Sequence, residues 1–142
     1  MNDLAPLPAI GTQATRVHTT TEANIVRFAD LSGDRNPVHL DAEYAARTPF
    51  GKRIAHGFLT GAYISAVLGM DLPGPGSIYL GQTLKFLAPV YIGDTITVHV
   101  EVIGLREEKR LVTLRTDCTN QKGVIVLTGE ATIKYMQKVE AQ

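Results

Sequence analysis

The sequence predicts an α+β chain in which an antiparallel sheet wraps around one apolar helix. Between His56 and Asp71 there is no charged residue, so a helix over this stretch has no face suited to water. Residues 95–102 read Thr-Ile-Thr-Val-His-Val-Glu-Val, a period of two that puts Ile96, Val98, Val100 and Val102 on one face. Pro73-Gly74-Pro75-Gly76 divides a helical part from a strand part. Helices first and a meander of strands afterwards is an α+β order, and a helix with no polar side needs a sheet around it.

Taken in order, residues 1–13 carry several prolines and read as a loosely packed arm of a single domain spanning 1–142. Residues 14–19 form a short strand with Val17 inward and His18 outward, in water. Thr20 or Thr21 caps the first helix, whose stripe of Ile25, Phe28, Ala29 and Ser32 has helical spacing. Gly33 is a left-handed stop, and Asn36-Pro37 forces a bend, because proline cannot continue a helix and drives the preceding residue out of the α region. Asp41 caps a second short helix through Tyr44 and Ala45. Residues 48–53 form a loop whose Lys52-Arg53 pair reads first as wet surface. The apolar helix begins near Gly57; Gly61 and Gly69 each cost about 1 kcal/mol relative to alanine, which suggests close approach of neighbouring backbone. Residues 77–87, 95–102, 111–119 and 124–135 follow as strands, with a turn over 89–94, a charged tip at 107–110 and a hairpin across 120–123. His99 falls on the polar face with Thr97 and Glu101.

Composition narrows the function. Fourteen basic and fourteen acidic side chains cancel, so no bulk field recruits nucleic acid or an anionic membrane. A single cysteine, Cys118, leaves no internal disulfide or multi-cysteine metal site, and it reads as a small core residue. There is no secretory leader and no run long enough for a membrane span, so the cytoplasm is the expected compartment. No internal repeat and no glycine-rich phosphate loop is present.

The chemistry concentrates at the bend. A corner between Asp34 and His39 can bring a carboxylate and an imidazole to one small volume, where together they hold one water and move protons at neutral pH. An Asp at such a place can equally serve only the turn. Downstream, a helix starting near Gly57 aims free N–H groups and its positive dipole end at whatever lies before it, a ready oxyanion donor. His56 is read as fixing the loop before Gly57.

The string Ser32-Gly33-Asp34-Arg35-Asn36-Pro37-Val38-His39 resembles the signature of the hydratase-2 branch of MaoC-like dehydratases, which includes the (R)-specific enoyl-CoA hydratases. Gly74-Pro75-Gly76-Ser77-Ile78-Tyr79-Leu80 and Phe86-Leu87-Ala88-Pro89-Val90 with Gly93-Asp94 are similar to further stretches of that family. The resemblance covers about residues 15–135 and implies the hotdog fold, a homodimer or dimer of dimers, and a substrate tunnel at the subunit boundary. It implies reversible hydration of trans-2-enoyl-CoA to (R)-3-hydroxyacyl-CoA, with Asp34 and His39 as the catalytic pair and the N–H of Gly57 meeting the thioester oxygen. Ser65 matches a serine near the pair, an orienting residue or else a buried hydroxyl bonded to its own helix. With a coenzyme A substrate, Lys52 and Arg53 become candidate phosphate contacts. No metal and no cofactor is expected, coenzyme A being part of the substrate. A dehydratase acting on an acyl carrier protein, an acyl-CoA thioesterase and a non-catalytic acyl-CoA-binding domain are the alternatives. Which member of the pair deprotonates water stays open.

Overall fold

The computed structural model describes residues 3–139. Its elements run β1 (Gln13–Thr19), α1 (Glu22–Ser32), α2 (Pro37–Leu40), α3 (Ala42–Ala46), α4 (Gly57–Met70), β2 (Ser77–Gln82), β3 (Lys85–Phe86), β4 (Thr95–Arg106), β5 (Leu111–Thr119) and β6 (Ile125–Tyr135). All strands join one antiparallel sheet in the order β1-β4-β5-β6-β2, with β3 also paired to β6. Ile64, Val67 and Leu68 of α4 pack into one core with Ile96, Val98, Val100 and Val102 of β4 and Val112 and Leu114 of β5. This is the expected α+β hotdog arrangement. Cys118 lies in the same core, where burial pushes its thiol up to about 12. No described helix is long and apolar enough to cross a membrane.

The local punctuation is as the residues dictate. Thr21 caps α1 by accepting from the Asn24 N–H (3.1 Å), and Gly33 ends it at φ 82° with its N–H on the Ala29 carbonyl. Asn36 caps α2, with Pro37 at its first position, where a missing N–H costs nothing. Asp41 caps α3 through the N–H groups of Glu43 and Tyr44.

Non-local packing overturns several expectations. In β1 it is His18 that turns inward, its ring stacked on Tyr63 at 4.2 Å, while Val17 is 63 % exposed. The register explains this: His18 pairs with Ile96, a core position of β4, and Val17 with Thr97. The stretch 77–87 is not one strand; an irregularity between Tyr79 and Gly81 and a break after Gln82 divide it into β2 and β3. Of the arm expected over residues 1–13, residues 1 and 2 lie outside the described residues, and the described part is tied down by the Leu4–Lys138 bridge and by exchange of hydrogen bonds between Gly11, Thr12 and Val102. Nor is α4 buried all round: Leu59, Thr60, Ile64, Val67 and Leu68 are buried, but Phe58 and Met70 are 67 % and 62 % exposed. Gly61 and Gly69 admit no close backbone; a Cβ would meet only a Leu84 methyl at 3.7 Å at the first and nothing within 4 Å at the second.

Candidate active site

The corner brings together the two residues its sequence singled out. Asp34 follows the αL stop of α1, and its carboxylate divides its work. Oδ1 accepts from the Asn36 N–H (3.2 Å), which holds the turn, and Oδ2 lies 3.9 Å from Nε2 of His39. That gap is too long for a direct hydrogen bond, and a water about 2.8 Å from each atom would bridge it at an angle of about 90°. Asp34 thus holds the turn and also places a carboxylate oxygen beside His39.

His39 sits on α2 and is 8 % exposed. Its Nδ1 is 2.7 Å from the Ile54 carbonyl, which can only accept, so the proton is on Nδ1 and Nε2 keeps its lone pair. Burial pushes the His39 pKa below the ordinary histidine value; the Ile54 carbonyl and the Asp34 charge pull it up, and neighbouring His56 pushes it down. The net lowering leaves a neutral imidazole at pH 7 with its basic nitrogen toward Asp34.

Gly57 is the first residue of α4, and among the described residues no backbone acceptor is recorded for its N–H outside the helix. His39 and Gly57 both line a cavity of about 450 Å³, whose other walls include Phe50, Phe86, Val90 and Leu127. Asp34 does not itself line it. The Phe86 ring lies against Gly57, where a Cβ would fall 2.5 Å from its Cε1. The site is thus a largely apolar pocket whose lining includes His39, Gly57 and Thr60.

Ser65 is not part of it. Two turns into α4 it stands about 12 Å along the axis from Gly57, exposed, in a separate groove with Phe58, Ala62, Tyr79 and Leu80. Helical periodicity decides this, because Ser65 adjoins the buried Ile64 but faces the side of α4 that the sheet leaves open. The exposed hydroxyl is not the buried one expected as the alternative. Arg53 is also corrected: its Nε donates to the His39 carbonyl (2.7 Å) and its Nη1 to Glu22 (2.7 Å). It braces the backbone that carries His39, and its charge is already paired with Glu22. Lys52 stays exposed, its ammonium 4.9 Å above the Tyr91 ring. The brace by Arg53 and the Ile54 carbonyl have no signal in the sequence, since both depend on contacts more than a dozen residues apart.

Asp34, His39 and His56 each offer a donor atom within 4.8 Å of the others, the composition of many metal sites. The rings of His39 and His56, however, stack at 3.9 Å with 29° between planes. Lone pairs lie in the ring planes, so stacked rings direct them side by side rather than at one ion. The arrangement suits proton handling better than chelation.

Comparison with known proteins identifies the family. Residues 8–124 match the family model described as "MaoC like domain". The chain is 54% identical over 123 residues to an (R)-specific enoyl-CoA hydratase of Rhodospirillum rubrum, covering 87% of this chain and 85% of that one. It is 53% identical over 121 residues to a 3-hydroxybutyryl-CoA dehydratase of Methylorubrum extorquens, covering 85% and 76%. Among solved structures it superposes on the (R)-hydratase of A. caviae involved in PHA biosynthesis with a TM-score of 0.89 at 45% identity, covering 92% of this chain and 99% of that one.

Proposed function

The chain belongs to the MaoC-like domain family, and from that premise we propose that it is an (R)-specific enoyl-CoA hydratase, reversibly adding water to a trans-2-enoyl-CoA to give the (R)-3-hydroxyacyl-CoA. The observation that carries the assignment of residues is the lone pair of His39 Nε2 3.9 Å from the Asp34 carboxylate, in a residue that lines one cavity with Gly57.

Hydration needs a base for water, an acid for C2 and a donor for the thioester oxygen as it gathers enolate charge. His39 Nε2 takes a proton from the water it shares with Asp34 as the oxygen bonds to C3. Asp34 stabilises the imidazolium so formed, and the pair hands a proton to C2. The enolate oxygen meets the Gly57 N–H, fixed by the helix before charge appears. One water is consumed and no electrons leave the substrate, so the step closes without metal or redox cofactor. Lys52, exposed two residues from the cavity-lining Phe50, is the contact for a coenzyme A phosphate. The cytoplasm is the proposed compartment.

Loss of enoyl absorbance on crotonyl-CoA tests the activity; release of free thiol would mark a thioester hydrolase, and neither would mark a domain that only binds. The same assay reads the base. His39 is displaced below its ordinary value of 6.5, and protonation of Nε2 removes the acceptor. Hydration kcat/KM should therefore be flat near neutrality and fall as pH drops through a value below 6.5. An acid limb centred at or above 6.5 would contradict His39 as base.

A homodimer, or a dimer of such dimers, is the proposed assembly. Edge strand β2 leaves Ile78 and Leu80 48 % and 55 % exposed, and they continue onto the open face of α4 through the groove that Phe58, Ala62 and Ser65 share with Tyr79 and Leu80. An apolar patch beside an unpaired edge is a surface that a second copy covers by symmetry. Light scattering at micromolar concentration should give at least twice the chain mass, and Leu80→Lys should shift the population toward single chains. A monomeric wild type overturns the assembly.

A further inference from the structure

We infer that His56 is a positioning residue for hydration, fastening the Asp34 corner to the start of α4 and backing the ring of His39. This rests on the hydratase assignment and adds a residue to it. His56 is the N-cap of α4, yet its side chain makes no capping bond to the helix. Instead Nε2 reaches the Asp34 carbonyl at 2.9 Å, across 22 residues of sequence. A carbonyl only accepts, so Nε2 carries the proton. The other nitrogen, Nδ1, is buried with no hydrogen-bond partner, in a residue 2 % exposed. An unpaired buried nitrogen is unfavourable, and a phenyl ring would fill the same space without one. The imidazole is thus explained by its N–H on Asp34, not by packing.

Three parts of the site meet at this residue. The hydrogen bond holds the backbone from which the Asp34 carboxylate projects. The ring face covers His39 at 3.9 Å and is itself backed by Phe28 at 4.9 Å. The main chain continues directly into Gly57, the oxyanion donor. His56 therefore fixes the distance between the proton-handling pair and the amide that must act in concert with it. It touches no reacting atom, and its effect belongs in kcat.

The test compares His56→Phe, His56→Gln and His56→Asn with the parent enzyme on crotonyl-CoA, each checked by thermal melting. Phe keeps a ring and loses the donor; Gln places an amide nitrogen near the former Nε2; Asn ends one bond short. Misplacement of about 1 Å can cost about 10²-fold, so His56→Phe should lose about that factor in kcat with KM little changed, and Gln should recover most of it. In an Asp34→Asn background, His56→Phe should add little further loss, because it acts through that corner. A His56→Phe enzyme as active as the parent, Gln no better than Phe, or losses that multiply in the Asp34→Asn background would each overturn the role. Should Phe fail to fold, Gln active with Asn impaired supports it, and equal activities overturn it. An active Asp34→Asn enzyme would instead refute the assignment of the pair, which separates that failure from this one.

Discussion

Asp34→Asn and His39→Asn are each expected to lower kcat for hydration by on the order of 10²–10⁴, with the double variant little worse than the poorer single. Asparagine at 34 keeps an oxygen to accept from the Asn36 N–H, now at 3.2 Å, so the turn survives and only the charge facing His39 is removed. Asparagine at 39 can place its amide nitrogen near the former Nδ1 and still donate to the Ile54 carbonyl, while the basic Nε2 is lost. Both substitutions thus strike proton transfer more than fold. Non-additivity follows because the two groups act on one water: once either is gone, the other has nothing to complete. Melting curves near that of the parent, with steady-state rates on crotonyl-CoA, make the measurement. Either single variant within a few-fold of the parent would remove the pair from the mechanism.

Gly57→Pro should be the second largest effect, and the structure makes it a clean experiment. A backbone donor cannot be deleted by an ordinary side-chain change, but proline lacks the N–H. Position 57 opens α4, the one helical position where proline is favoured. The preceding residue must be extended, and His56 already is, at φ −60° and ψ 135°. The obstacle is the new Cβ, which would fall 2.5 Å from the Phe86 ring. Gly57→Pro and Gly57→Ala are therefore compared in a Phe86→Ala background, where both carry a Cβ and only one lacks the N–H. Proline should fall below alanine in kcat by about 10²–10³, or about 2.7–4 kcal/mol of transition-state stabilisation. Equal rates would show that the thioester oxygen is stabilised elsewhere.

The exposed groove bears on how complete one chain is. Phe58 lines both the catalytic cavity and the groove that holds Ser65. In the proposed dimer a second copy would cover that groove next to the acyl pocket. Ser65 would then lie at the subunit boundary.

By itself the sequence determined what short-range backbone chemistry governs. Gly33 had to end α1, Asn36-Pro37 had to turn the chain, Asp41 had to start α3, and the alternation at 96–102 had to give β4 one buried face. Those constraints act over two to four residues, and they set the turn on which Asp34 and His39 lie. Tertiary structure alone decided the rest. Only the approach of Ile54 assigns the proton on His39, and burial, with neighbouring His56, lowers its pKa. Only packing joins His56 to a carbonyl 22 residues away and commits Arg53 to bracing His39. Pairing with β4 turned His18 inward against the expected alternation, and the reach of a single sheet left one side of α4 open, exposing Ser65. Hydrogen-bond partners, register and desolvation depend on which distant segments become neighbours, and local preference carries no information about that.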